Sequence, residues 1–304
     1  MDTLGTTFRF TSFGESHGPV IGGIIDGCPA GLNPDMLLIR NQLLRRAGGD
    51  PSYPTTTRKE DDVVEWLSGL LNGTTTGAPL AFLVRNRDVR SSDYDSLKDK
   101  LRPGHGEYPR LQKFGITDYR GGGRNSGRIT ASWVVAGCIA QQILAQQGIA
   151  ISARKLSKGI VGCTAISVPA GWGSPAFGSL KAMLAQAMMS IPSATAFEIG
   201  LGTEASDLSG TDYADAWDPQ HPFHTLTNHC GGVQGGISNG MPIELRVTFH
   251  APVTQPGPMY CADAATGAVE KTEVTGRHDQ DHTYRCLPIV ETLTALVLIQ
   301  FSRE

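Results

Sequence analysis

The chain has 304 residues, long enough to bury a substantial core, and its 40% hydrophobic and 18% charged residues fit a soluble globular chain rather than a disordered or fibrous one. A net charge of −3 gives no global basic field, so no nucleic-acid partner is expected and any anionic ligand must be met by local cations or backbone amides. No apolar run approaches the roughly 18 residues of a membrane span, and no membrane partner is expected.

Residues 1–10 lack a charged segment followed by an apolar one, so no signal peptide is read there. Residues 20–27 (VIGGIIDG) predict a buried strand, Cys28-Pro29-Ala30-Gly31 a turn, and Asn33 or Asp35 the cap of a helix reaching about Arg46, with Met36, Leu37, Ile39, Leu43 and Leu44 on one face. A loop over 48–57 precedes a short predicted helix at 61–71, stopped by Asn72-Gly73, and then a strand at 79–84. Residues 92–123 read as loop. Residues 129–147 predict the longest helix, packed through Trp133, Val134, Ile139 and Ile143. Further strands are expected near 160–168, 196–201 and 243–250, and helices over 180–189 and 289–301.

Six cysteines are scattered without a CxxC pair, which predicts buried reduced thiols and a cytoplasmic setting rather than a disulfide frame or zinc site. The 37 glycines, about one residue in eight against a usual share of roughly 7%, are clustered where backbone must turn tightly or approach a ligand. The chain also echoes itself. Gly27-Cys28-Pro29-Ala30-Gly31 and Val168-Pro169-Ala170-Gly171 each lead into a helix, and Gly22 to Gly27 resembles Gly235 to Gly240. This predicts a duplication, two similar β-α layers packed as one domain over 1–304.

Five segments could carry chemistry. Gly14-Glu15-Ser16-His17-Gly18-Pro19 sets a histidine among small residues before a strand, suited to proton transfer or simply to bonding a carbonyl. Arg102-Pro103-Gly104-His105-Gly106-Glu107-Tyr108 places a second histidine in a glycine-rich loop, with the same two readings. Asp118 to Arg128 (DYRGGGRNSGR) puts three successive glycines, three arginines and a serine before the long helix, a place that favours an anion such as phosphate over a merely flexible basic loop. It is neither GxxxxGK[ST] nor GxGxxG after a clean strand. Gly231 to Gly240 would let a planar ligand lie against backbone, or would form two tight turns. Gly276-Arg277-His278-Asp279 joins a cation, a base and an acid in a turn. His278 and His282 invite a metal reading, but the turn and the missing glutamate of the zinc-protease motif argue for no metal.

In this order the segments resemble chorismate synthase across nearly the whole chain, together with Ser68-Gly69, Thr75-Thr76-Gly77, Lys113-Phe114-Gly115, Met189-Ser190-Ile191-Pro192, Phe197-Glu198-Ile199-Gly200 and Thr227-Asn228. The resemblance implies an α+β fold, a β-α-β sandwich with duplicated halves, assembled as a homotetramer or a dimer. It implies a lyase of the shikimate pathway, which feeds aromatic amino acid biosynthesis. The reaction is trans 1,4-elimination of phosphate from 5-enolpyruvylshikimate 3-phosphate with reduced FMN and no net redox change. Whether the chain reduces its own flavin with NADPH stays open. By resemblance His17 and His105 are proton donors, and Asp279 manages the proton at flavin N5. Ser16, Arg46, Arg102, Arg128 and Arg277 meet the substrate. Arg124, Asn125, Ser126, Pro192, Ser193, Gly235, His250, Ala251, Pro252, Val253, Thr254 and Arg277 fall where the family contacts FMN.

Four departures stand out. His250-Ala251-Pro252-Val253-Thr254 replaces the family's Lys-Pro-Thr, so an imidazole takes the place of a fixed cation. Ser126-Gly127-Arg128-Ile129-Thr130 replaces Ser-Ala-Arg-Glu-Thr and loses the acid, and Arg45-Arg46-Ala47-Gly48-Gly49 stands for Arg-Arg-Arg-Pro-Gly. The stretch between Ile149 and Val161 is about thirty residues shorter than in most members. These changes keep a second reading open, a non-catalytic or repurposed relative that binds flavin or an anionic cyclohexene. An ordinary flavin oxidoreductase is a weaker third, disfavoured by the missing dinucleotide fingerprint.

Overall fold

The computed structural model describes residues 2–48, 62–87, 97–116, 118–253, 257–274 and 281–302. In chain order its first part holds β1 (Thr3–Leu4), β2 (Arg9–Gly14), β3 (Val20–Asp26), α1 (Met36–Ala47), β4 (Val64–Ser68), β5 (Leu70–Leu71), β6 (Thr74–Thr75), β7 (Leu80–Arg85), β8 (Lys100–Leu101), α2 (Glu107–Phe114) and α3 (Thr130–Ala145). The second holds β9 (Ala150–Ser157), β10 (Ile160–Ile166), α4 (Leu180–Met189), β11 (Ala194–Ile199), α5 (Gly210–Tyr213), β12 (Val233–Gln234), β13 (Ile237–Ser238), β14 (Ile243–Phe249), β15 (Gly257–Asp263), β16 (Val269–Val274) and α6 (Thr283–Leu298).

Two antiparallel sheets enclose a helical layer. The first runs β1-β2-β3-β7-β4 and the second β11-β14-β10-β9. α3 packs on β2 and β3, α6 on β9 and β10, and α3 and α6 pack on each other. A helix in such a central layer must be apolar nearly all round. In α3, Val134, Val135, Ala136, Cys138, Ile139 and Ala140 are all fully buried. The two helices cross closely because Gly137 faces Thr292, where a Cβ would stand only 2.2 Å from the Thr292 Cβ. One continuous cluster of buried residues runs from Phe8 to Phe301 through both sheets, and all six cysteines are buried and unpaired with one another.

The duplication is borne out in detail. β2-β3-α1-β4-β5-β6-β7-α3 repeats as β9-β10-α4-β11-β12-β13-β14-α6, with the same strand order in each sheet. In the first half Thr75 Oγ1 accepts from the Leu32 amide at 2.9 Å and donates to the Pro29 carbonyl at 2.6 Å. In the second Ser238 Oγ accepts from the Trp172 amide at 2.9 Å and donates to the Pro169 carbonyl at 2.5 Å. The Gly31 and Gly171 amides donate to the carbonyls of Thr75 and Ser238 in the same way.

One pairing in the expected echo is corrected. Gly22 to Gly27 lies in β3 and the bend after it, whose counterpart is Gly162 to Ser167. Gly235 to Gly240 belongs to the β12–β13 hairpin and matches the β5–β6 hairpin. Gly73 and Gly77 there have φ of 84° and 85°, and Gly236 and Gly240 have 91° and 92°. The short glycine match was one of composition, not of position: Gly22 and Gly23 lie within strand β3, whereas Gly235 and Gly236 turn the hairpin at φ 60° and 91°.

Most predicted elements form near their expected bounds, with Asp35 capping α1 through the amides of Leu37 and Leu38. The helix expected at 61–71 is instead β4, a bend and β5 over its described part. Val64 and Trp66 turn inward while Leu67 is exposed, a period of two, and Gly69 at φ 83° breaks the strand. The loop expected at 92–123 contains α2, and the last helix begins at Thr283 with Pro288 inside it. Packing of the buried residues that follow Pro288 carries the helix through it.

Candidate active site

The β2–β3 connection carries the first histidine. Gly14 has φ 85°, and the Gly18 amide closes a turn on the Glu15 carbonyl at 3.1 Å. Buried Ser16 places its Oγ 3.0 Å from His17 Nδ1 and accepts the Gly123 amide at 3.1 Å. Gly121, at φ 106°, lies so close that a Cβ there would stand 2.6 Å from His17 Cε1. The triple glycine therefore brings backbone against the His17 ring.

That contact changes how the glycine-rich segment reads. The amides of Gly121, Gly123, Asn125 and Ser126 all donate to protein oxygens, so they do not form an open anion nest. Its three arginines are engaged as well. Arg120 pairs with Asp118 at 2.8 Å, and this guanidinium holds the Asp118 carboxyl below the usual carboxylate range. Arg124 donates to Gly14 O at 2.9 Å, Asp2 Oδ1 at 2.7 Å and Ser12 Oγ at 3.1 Å, pinning β2. Arg128 donates through Nη1 to Asp62 Oδ1 at 2.6 Å and through Nε to Asn86 Oδ1 at 2.9 Å. Ser126 Oγ caps the short turn before α3 by accepting the Arg128 amide at 3.2 Å.

Arg46, at the end of α1, converges on the same acid. Its Nη1 lies 3.7 Å from Asp62 Oδ2, while Nη2 donates to Gly127 O at 2.7 Å and Nε to Thr130 Oγ1 at 3.2 Å. The side chains of Arg46, Arg128 and Asp62 are only 3–4% exposed. Among the described residues, two buried guanidiniums thus converge on one carboxylate, where the dielectric is low and charge interactions are strong.

The second histidine follows β8, which pairs with the β15–β16 hairpin. Buried Arg102 forms a charge-assisted pair with Glu107, the first residue of α2, and its amide donates to the same carboxylate at 2.8 Å. The loop between them is held open by that pair. His105 Nδ1 lies 3.0 Å from the Pro103 carbonyl, which can only accept, so Nδ1 carries the proton. Burial pushes the His105 imidazole below its ordinary value and Arg102 adds to this, against the Pro103 contact and Glu107. A Cβ on Gly106 would stand 2.1 Å from Asn125 Nδ2, and one on Gly104 would meet Val253 at 3.3 Å. The loop thus touches both the glycine-rich segment and the segment after β14.

There the His250 amide donates to the Ser193 carbonyl at 3.0 Å, and His250 Nδ1 turns to the Ala251 carbonyl at 2.7 Å. Ser193, at φ 70°, hydrogen-bonds its neighbour Pro192 and the His282 Nε2, the latter at 2.9 Å. Ser16, His17, His105, Arg124, Asn125 and Ser126 form one contact chain. Val253 joins it through Gly104, and Ala251 and Pro252 connect Val253 to His250, Pro192 and Ser193. Arg102 borders this chain, and Arg46 and Arg128 reach it through Gly127 and Ser126. Gly235 sits apart, in the β12–β13 turn whose neighbours are Gly173 and Leu180. Thr254, Arg277 and Asp279 lie outside the described residues. No group of three His, Cys, Asp or Glu suited to a metal occurs among the described residues.

A family model described as chorismate synthase matches residues 8–158 and 157–302. The chain belongs to the chorismate synthase family. A relative of that name from Porphyromonas gingivalis is 41% identical, covering 98% of this chain and 94% of its own. One from Methanocella arvoryzae is 38% identical over 98% and 93%. A solved structure, "Crystal Structure of Chorismate Synthase", superposes with a TM-score of 0.72 at 24% identity over 98% of this chain and 92% of that one, a likeness of fold. The alignment to the P. gingivalis chorismate synthase runs over 351 positions, more than the chain contains, so that relative carries stretches absent here. The family match divides at residues 157–158, in the tight turn between β9 and β10, inside the stretch expected to be short.

Sequence reasoning missed Asp62, Asn86 and Glu107, and weighed His282 only as a metal partner of His278, whereas it meets Ser193. Asp62 fell in a stretch read as helix, Asn86 just past a strand, and Glu107 in a stretch read as loop. Only the five-residue spacing of Arg102 and Glu107 offered a signal, and it needed the intervening loop geometry to be legible.

Proposed function

We propose that the chain is a chorismate synthase, a carbon–oxygen lyase that eliminates phosphate from 5-enolpyruvylshikimate 3-phosphate. The observation that carries this reading is full-length similarity to relatives of that name at 37–41% identity. The clustering of His17, Arg46 and Arg128 near one another supports it. The substrate carries two carboxylates and a phosphate, and the Arg46–Arg128 pair supplies buried charge for them. Arg277 and Ser16 complete the set. Arg102, paired with Glu107, acts by holding the His105 loop. His17 and His105 are the proton donors. Burial favours the neutral form of His105, and an adjacent anion favours its protonated form. Asp279 serves as an additional proton acceptor.

The residues around the His105 loop fit FMN. Gly104 and Gly106 bring backbone within contact of Val253 and Asn125, leaving no room for a side chain. Asn125, Ser126, Ser193 and His250 bring amide, hydroxyl and imidazole groups to the segments beside this loop. These residues, with Arg124, Pro192, Gly235, residues 251–254 and Arg277, would hold the cofactor. Reduced FMN supplies the electron-rich ring that lets the elimination run without net redox change. A homotetramer or dimer, a cytoplasmic setting, NADPH as the source of reduction and a single domain over 1–304 belong to the same reading. The continuous core and six reduced thiols support the last and the setting.

The deciding test is an anaerobic assay of the purified protein with substrate and chemically reduced FMN. Chorismate release is expected. Its absence from well-folded protein would leave the second reading, a relative that binds flavin or an anionic cyclohexene without turnover, which the imidazole at position 250 favours.

A further inference from the structure

We infer that Asn86 and Asp62 are positioning residues for this reaction: together they fix the Arg128 guanidinium, and Asn86 ties it to the turn that carries His17. The inference rests on the function proposed above. Asn86 follows β7 and hydrogen-bonds on three sides. Its amide donates to Pro19 O at 3.1 Å, its Nδ2 donates to Glu15 O at 2.9 Å and Gly18 O at 2.8 Å, and its Oδ1 accepts from Arg128 Nε at 2.9 Å. Carbonyls only accept and a guanidinium only donates, so the side-chain amide has one possible orientation. The two carbonyls it grips bracket His17.

The far side of Arg128 meets Asp62. Oδ1 takes Arg128 Nη1 at 2.6 Å, while Oδ2 faces Arg46 Nη1 at 3.7 Å and is buried without a hydrogen-bond partner among the described residues. Asp62 therefore sets the separation of two like charges. Removing it takes away a carboxylate that offsets the repulsion between the two buried guanidiniums.

The duplicated half argues that this is not a requirement of the fold. Its counterpart of Asn86 is Phe249, whose amide donates to Gly159 O at 2.7 Å just as the Asn86 amide does to Pro19 O. The Phe249 side chain forms no such clamp and rests edge-on against His282 at 6.2 Å between ring centroids. The fold needs the backbone bond at this position. It does not need the amide side chain.

The test compares wild type with Asn86→Ala, Asn86→Asp and Asp62→Asn in the anaerobic assay, alongside hydrogen exchange of the peptide spanning residues 13–19. Displacing a reacting group by about 1 Å costs roughly a hundredfold. Asn86→Ala is expected to lower kcat about 10- to 100-fold with KM changed less than about threefold, and to speed exchange in that peptide. Asn86→Asp should be no better, although it strengthens the pairing with Arg128, because an oxygen then faces two carbonyls. Asp62→Asn should lower kcat without raising KM, since the pocket becomes more positive while its guanidiniums lose their spacing. Wild-type kcat and exchange in Asn86→Ala, or rescue by Asn86→Asp, would overturn the assignment of Asn86. A raised KM with unchanged kcat in Asp62→Asn would overturn that of Asp62. If wild type itself makes no chorismate, the functional reading falls, and the exchange measurement still decides whether Asn86 holds the turn.

Discussion

The turn from β2 to β3 and the turn from β9 to β10 occupy equivalent places in the two halves, and they have become opposites. The first is a five-residue connection that carries Ser16 and His17 and is gripped by Asn86 and Gly123. The second is reduced to Lys158 and Gly159, and the family match breaks there. Behind both turns the scaffold is unchanged, down to the hydroxyl of Thr75 or Ser238 stitching turn to hairpin. A duplicated fold can keep two copies of its supports and place the chemistry at the end of one. Catalytic and structural demands then fall on different residues, and mutation can separate them.

The sharpest separation comes from the histidines. His17→Ala and His105→Ala should each lower turnover by ~10²–10⁴-fold, the usual worth of a positioned proton donor, while FMN affinity changes far less. Steady-state kinetics beside flavin titration checks this, and wild-type turnover in either variant would remove that residue from the chemistry. Next comes affinity at the site of the lost cation. His250→Lys should tighten FMN binding about ten- to a hundredfold through a charge-assisted contact. Equal dissociation constants by titration would mean that position 250 does not face the flavin phosphate.

The supports predict symmetry instead. Thr75→Val and Ser238→Ala each remove a buried hydroxyl that makes two hydrogen bonds, and each should cost ~1–3 kcal/mol in urea unfolding. A difference between them much above 1 kcal/mol would break the equivalence of the halves. The smallest effect is peculiar to the second half. Burial alone would raise the Asp281 carboxyl, yet Lys155 and Thr283 together hold it at about 2, below its ordinary 3.8. The pair with Lys155 therefore contributes above about pH 4 and is lost as the pH falls toward 2. Asp281→Asn should lower the melting temperature slightly at neutral pH, by at most ~1 kcal/mol of stability, and not at all near pH 2.

Much of this was legible in the sequence because the signals were local. The Asp35 cap, the apolar face of α1 and the uninterrupted apolar run of α3 each act within a few turns of chain. The Pro-Ala-Gly echo marked the duplication because those residues sit at the one turn both halves need. What failed was long-range. Residues 64–68 take strand form because β7 offers them a partner, and the Trp66 ring packs 5.5 Å from that of Phe82 across it. The glycine-rich segment was read as waiting for an anion, whereas Gly121 is small because His17, over a hundred residues earlier, occupies the space. Asp62 and Asn86 look ordinary until the arginine between them is in view.

The six buried thiols give the molecule an internal clock. Burial pushes the thiols of Cys163 and Cys286 up to about 12 and that of Cys230 to about 11, so these three hold almost no thiolate at neutral pH while the chain is folded. A thiol-specific reagent added to the native protein has to wait for the interior to open. Because Cys28 lies in the first half and Cys163 in the second, with Cys138 and Cys286 on the two crossing helices, the order in which the thiols are trapped reports which copy of the duplication lets go first.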